Sequence, residues 1–190
     1  MKFHDKQIRM RCSILALALS MTGCATLSQS DCVKGDWFRI GRQDALWGYT
    51  SDRLKQHEKA CIKHGYGTDP QAYEDGYAEG LVAFCVPEKA FDLGRRGGSY
   101  SRQCPPEADT WFLPAFDLGR QVYDLDQELA KIKSEIEDLR EEIKDDKTTE
   151  ESREAAEQRL RYVKRDRERR ERERDALLER ARRNGYGDVW

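Results

Sequence analysis

Apolar residues fall along this chain in three regimes. Between residues 12 and 21 they are nearly continuous, in Cys12-Ser-Ile-Leu-Ala-Leu-Ala-Leu-Ser-Met21. Through residues 32–122 they are interleaved with glycine and aromatic residues. From Val122 they thin to one seam, Val122, Leu125, Leu129, Ile132, Ile136, Leu139 and Ile143, with alternating steps of three and four. That is an a/d heptad pattern and predicts a long coiled-coil helix. No stretch alternates with the period of two that a strand requires, so the predicted fold class is all-α. Helices are expected near 36–47, 51–64, 69–85 and 87–96, and from about 106 onward. Ser51-Asp52 and Asp69-Pro70 act as start signals, and Gly65 and Gly67 as stops.

The seam breaks at Lys144-Asp-Asp-Lys-Thr-Thr-Glu-Glu-Ser152, which has no apolar residue. Thr148 with Glu151 fits a capping box that opens a second arm. The second seam runs through Ala156, Leu160, Val163, Leu177 and Ala181, with Arg167, Arg170 and Arg174 at the positions between. Charge favours folding back. Residues 124–146 hold ten acids and four bases, whereas residues 159–183 hold six acids and twelve bases. An antiparallel hairpin over 123–184 pairs these faces, with the three arginines opposite Val122, Leu125 and Leu129. Their stems would cover apolar surface while their heads reach water. The same seam in an intermolecular coil is the competing expectation. Residues 185–190 form a tail.

An aromatic-x-x-Gly motif recurs in the first half. It reads Phe38-Arg-Ile-Gly41, Tyr73-Glu-Asp-Gly76, Phe91-Asp-Leu-Gly94 and Phe116-Asp-Leu-Gly119. Positions i and i+3 share a helix face, so each motif sets a ring beside a bare stretch of backbone. Glycine costs a helix about 1 kcal/mol against alanine. Its recurrence therefore predicts close approach of another helix, in preference to a glycan-stacking or lipid-touching face.

The apolar run at 12–21 is about ten residues, short of the roughly 20 needed to span a bilayer. Lys2, Lys6, Arg9 and Arg11 precede it and Thr22-Gly23 follow it, the layout of an export signal over residues 1–23. Met21-Thr22-Gly23-Cys24 resembles the lipobox of bacterial lipoproteins, with methionine where leucine is usual. The resemblance implies cleavage before Cys24 and acylation of Cys24. With Ala25 rather than aspartate next, it also implies sorting to the outer membrane. Residues 24–31 would then be a lipidated tether of at most about 25 Å. Loss of the signal removes four bases and one acid, leaving 30 against 35 and a net charge of −5. That balance speaks against a nucleic-acid partner.

Cys32, Cys61, Cys85 and Cys104 remain, an even set that reads as a disulfide framework in an oxidising compartment. Three pairings are open. The two local loops, Cys32–Cys61 and Cys85–Cys104, are the expected choice, each worth on the order of 3 kcal/mol in the loop-entropy model. The motifs Gly41-Arg42-Gln-Asp44-Ala-Leu-Trp-Gly48, Cys61, Gly76, Gly80-Leu81, Phe84-Cys85, Gly94, Cys104-Pro105 and Phe116-Asp-Leu-Gly119-Arg120 resemble a family of uncharacterised Gram-negative lipoproteins with a domain of unknown function. The resemblance spans residues 32–122, about half the chain. It implies an envelope lipoprotein and carries no catalytic residue.

No constellation for catalysis stands out. His57, Cys61 and His64 share a helix face at metal-ligand spacing, but a disulfide at Cys61 is the stronger expectation, so no metal or other cofactor is predicted. Asp44, Asp75, Asp92 and Asp117 accompany the glycine motifs and are candidate general acids. The plainer expectation is that they cap helices or pair with Arg42, Arg95 and Arg120. The chain is thus expected to be no enzyme. Its expected role is structural or scaffolding, on the periplasmic face of the outer membrane, with the hairpin binding another envelope protein. A peptidoglycan- or glycan-binding module is the alternative, and a hydrolase using aspartates is the remote one.

Overall fold

The computed structural model describes residues 26–186. The expected signal over 1–23, the expected acylation site Cys24 and the last residues of the tail lie outside them. The described chain is helical, with no strand. Seven α-helices run in order: α1 (Gln29–Lys34), α2 (Trp37–Leu46), α3 (Arg53–Ile62), α4 (Pro70–Phe84), α5 (Pro87–Arg95), α6 (Asp109–Lys144) and α7 (Glu150–Arg183). A 3₁₀ turn, Pro106–Ala108, leads into α6.

Local chemistry sets the ends of these helices. The Asp69 side chain accepts from the Ala72 amide, and Pro70 occupies the first turn of α4. Asp52 precedes α3 but makes no capping hydrogen bond. The cap of α7 lies one residue beyond the expected Thr148–Glu151 box: Thr149 accepts from the Ser152 amide. Thr148 is engaged elsewhere, donating its hydroxyl to the Glu142 carbonyl. α1 falls inside the stretch expected to be a tether. A reciprocal capping box between Ser28 and Asp31 starts it, and Leu27 packs on the adjoining core. Residues 26–31 are therefore folded onto the domain and are not an extended spacer.

The four glycine motifs meet in two pairs. A Cβ on Gly41 would lie 2.0 Å from the Tyr73 carbonyl oxygen, and one on Gly76 would lie 1.9 Å from that of Phe38. In the second pair, Gly94 would meet the Phe116 oxygen at 2.2 Å, and Gly119 the Phe91 oxygen at 2.2 Å. Each ring residue therefore lays its carbonyl over the glycine of the opposite helix. Gly76 faces Phe38, and Gly80, one turn on, faces Arg42 and Ala45, so α2 and α4 run in the same direction. α5 and α6 form the matching pair. Disulfides close the units as the two local loops, Cys32–Cys61 and Cys85–Cys104.

These units are an internal repeat. Gly41 follows Cys32 by nine residues, as Gly94 follows Cys85; Gly76 follows Cys61 by fifteen, as Gly119 follows Cys104. The difference lies between. Twenty residues separate Gly41 from Cys61, but ten separate Gly94 from Cys104. The surplus in the first unit holds the Trp47–Tyr49 turn and α3. Each unit has its own core, and Leu81 of α4 packs against both.

α6 leaves the second core without a break and pairs with α7 as an intramolecular antiparallel hairpin, so the boundary expected at residue 122 falls inside one helix. Val122 belongs to the second core, and farther out Leu125 and Ile136 of α6 and Ala156 and Val163 of α7 are buried along the seam. Nearer the head the seam becomes ionic. Arg174 reaches Asp126 at 3.6 Å, Arg170 reaches Glu128 at 3.0 Å, and Arg159 farther out reaches Glu135 at 2.7 Å. The end of α7 returns to the second core, where Ala181 is buried and Leu177, Leu178 and Tyr186 pack beside it.

The close contacts predict a steep and local effect of a methyl group. Gly76→Ala or Gly119→Ala should each cost about 2–3 kcal/mol by overpacking. Gly67→Ala, where a Cβ meets nothing within 4 Å, should leave the denaturant midpoint unchanged or raised. Equal midpoints for all three variants would contradict the backbone-to-backbone packing.

Candidate functional site

A buried polar cluster sits where the first unit departs from the second. Asp44 ends the inner face of α2, His57 comes from α3 and Tyr73 from α4; Asp44 is 4% exposed and His57 1%. His57 Nε2 lies 2.7 Å from Asp44 Oδ2, and the Tyr73 hydroxyl donates to the same oxygen at 2.8 Å. Arg53 Nε stands 3.3 Å from Oδ1, a charge contact without hydrogen-bond alignment. The other ring nitrogen of His57, Nδ1, lies 2.8 Å from the Thr26 hydroxyl. The cluster thus ties the start of the described chain to three helices. Burial, and then the hydrogen bond to Asp44, push the Tyr73 phenol well above its ordinary range. Burial likewise raises Tyr77 to about 12, and its hydroxyl donates to the Tyr49 carbonyl.

The second unit shows that this fold does not require the cluster. By distance from the cysteines and glycines, Tyr100 takes the place of His57, Phe116 that of Tyr73 and Gly97 that of Asp44. The ring pairs superpose in kind: His57–Tyr73 centroids are 6.2 Å apart, as are Tyr100–Phe116. At the matching place the second unit has the Tyr100 and Phe116 rings, with the Tyr100 hydroxyl donating to Asp109, itself paired with Arg102, where the first unit has the Asp44–His57 pair. An ionic core is seldom the more stable choice, because desolvation offsets most of the attraction. A buried Asp–His pair in one unit alone, among the described residues, marks that unit as specialised.

Beside the cluster lies a cavity of about 210 Å³ lined by Thr26, Asp31, Arg39, Gln43, Asp44, Trp47, Arg53 and His57, with Leu27 and Ile40 at its floor. Trp47 is 62% exposed at its edge and meets Tyr49 edge to face, with centroids 6.3 Å apart. The Arg53 guanidinium lies 3.6 Å over the Tyr49 ring. Charges are balanced: Arg39 is 3.9 Å from Asp31 and 3.3 Å from Asp36, and Arg53 faces Asp44.

The other expected site residues do not converge here. Asp75 accepts from Gln71 and Asp92 pairs with Arg96, while Asp117 is exposed on α6. The expected pairings with Arg42 and Arg120 are replaced: Arg42 pairs with Glu79, and Arg120 reaches Asp124. Cys61 is spent on its disulfide and His64 is exposed, so His57, Cys61 and His64 do not form a ligand set. Among the described residues no group of three metal-binding side chains is assembled. Sequence reasoning missed Arg53, Trp47 and Thr26 as one constellation. The unequal cysteine–glycine spacing was the signal that isolates them.

The architecture defines a class: a helical, disulfide-bonded domain made of two glycine-paired helix units. Residues 36–121 match the model of a family described as protein of unknown function (DUF2799). That span takes in both helix pairs and stops before the outer hairpin. Comparison with curated proteins and with solved structures gave no match.

Asp44→Asn should cost about 3–5 kcal/mol, the loss typical when one partner of a buried ion pair is removed. Tyr73→Phe should cost about 1–2 kcal/mol, and a double-mutant cycle should show that the two effects are not additive. Additive costs in that cycle would mean the hydroxyl and the carboxylate act independently. The raised tyrosines give a pH dependence of definite sign. Their stabilisation is complete below the ordinary phenol value of 10.0 and is lost as pH rises from there through about 12. Thermal melts should therefore weaken in that alkaline window, and less so in Tyr77→Phe.

Proposed function

We propose that this protein is an outer-membrane lipoprotein, acylated on Cys24 and facing the periplasm, whose role is structural: it holds another envelope protein through its helical hairpin. The observation that carries the reading is the hairpin's independence from the head. The end of α7 completes the second core, but the outer part of the arm packs only on itself. At 1.5 Å per residue, α6 extends about 33 Å from Val122 to its end. Its seam is sealed by cross-helix pairs such as Arg159–Glu135, so it needs no second copy to cover it.

The outer face of α7 supports contact with an acidic partner. Tyr162, Arg165, Arg169 and Arg172 fall on one exposed stripe at helical spacing. Arg169 is paired with Asp166, while Arg165 and Arg172 extend the positive surface. The lipobox resemblance and the basic, then apolar, start of the chain support export and acylation. Among the described residues no helix is long and apolar enough to cross a membrane.

The test keeps the head whole. Residues 127–173 are excised and Asp126 and Arg174, which face each other at 3.6 Å, are rejoined by a short glycine-rich turn, so that the basic stripe is removed while Leu177, Ala181 and Tyr186 stay on their core. Crosslinking in intact cells should capture an acidic envelope protein with the full chain and lose it with the shortened one. The charge reversal Arg165→Glu with Arg172→Glu should reduce capture at least about tenfold while leaving the melting curve nearly unchanged, as expected of surface positions. The same partners captured by all three forms would move the function from the arm to the head.

A further inference from the structure

We infer that the turn bearing Trp47 and Tyr49, with the cavity beside it, is a membrane-contact surface that rests in the headgroup layer of the bilayer; the inference rests on acylation of Cys24. Chain length is the first argument. Thr26 is held at the cavity through His57, and one residue, Ala25, separates it from Cys24. Two Cα–Cα steps span at most about 7 Å. A lipid on Cys24 therefore brings this rim close to the membrane surface.

The chemistry of the rim is the second argument. Tryptophan and tyrosine are favoured where an apolar phase meets a wet one, since each carries an apolar ring with a polar handle. Trp47 and Tyr49 stand exposed side by side at this rim. Arg39 and Arg53 line the same cavity, each already balanced by an acid. A patch with both charges and no net excess suits zwitterionic headgroups. Its contact should depend little on salt, unlike that of a basic patch.

The repeat supplies the third argument. The second unit folds with ten fewer residues here, without the Trp47–Tyr49 turn or a buried Asp–His pair. The additional residues of the first unit are thus dispensable for folding a unit and are gathered at the one place where the anchored end emerges. The cluster of Thr26, His57 and Asp44 makes the join stiff, so the anchor fixes which face of the head looks at the lipid.

The experiment uses the full acylated chain carrying Trp111→Phe and Trp190→Phe, which leaves the buried Trp37 and the exposed Trp47. It is reconstituted into phosphatidylethanolamine–phosphatidylglycerol vesicles whose acyl chains are brominated close to the ester groups. Flotation is read first. A chain that carries no lipid on Cys24 and does not float overturns the acylation reading, and this inference with it. With flotation established, emission should fall roughly twofold against unbrominated vesicles, as expected for an interfacial indole. The fall should vanish in Trp47→Phe and persist at high salt. Flotation without quenching would place Trp47 in water and overturn the surface assignment while leaving acylation standing. Saturable quenching by a soluble N-acetylglucosamine tetramer, with none by the brominated lipid, would overturn it too, and would make the cavity a saccharide site.

Discussion

The contact on which the head depends is backbone against backbone. In each unit two helices running the same way cross so closely that the carbonyl of an aromatic residue occupies the space where a Cβ would stand on the facing glycine. Such proximity brings peptide groups of both helices into dispersion contact and permits weak Cα–H···O bonds. It also sets the rings to the sides of the crossing, where Tyr73, Phe91 and Phe116 join the two cores and Phe38 is left exposed. The disulfides then close loops whose geometry the crossing has already set.

Repeating this unit gives a small chain a way to divide labour. The second unit is the plainer one: its rings meet in tilted contacts, and it serves as the footing of the hairpin. The first unit has an aspartate where the second has Gly97 and a histidine where it has the Tyr100 ring, and it spends ten more residues between them. Buried charge of that kind narrows the number of arrangements a core accepts, and here it seizes Thr26 as well. The stiffness of the head thereby extends to the last described residue on the side of the proposed anchor.

Much of the architecture was legible in the sequence because it is periodic. The heptads of α6, the reversed charge of α7 and the glycine motifs each state a local rule, and the structure obeys them. The hairpin prevails over an intermolecular coil because Leu177, Ala181 and Tyr186 must return to the head, a constraint no heptad count contains. α1 was hidden because its signal is a single capping box over six residues. The polar cluster was hidden for a different reason. Asp44, His57 and Tyr73 belong to three helices, and only the crossing of α2 with α4 brings them together. The uneven spacing from glycine to cysteine carries that information, and it is visible only once the units are laid side by side.

The continuity of α6 has a mechanical consequence. One helix runs from the 3₁₀ turn beside the second disulfide to the tip of the arm, and its one internal proline, Pro114, lies near its start, before the arm leaves the head. A load applied at the tip travels along its axis and meets its first joint inside a packed core. α7 carries a share of the same load back to that core through Ala181 and Tyr186. The arm therefore behaves as a strut rather than a leash: it reports the position of whatever holds its tip to the head as a whole, and transmits compression as readily as tension.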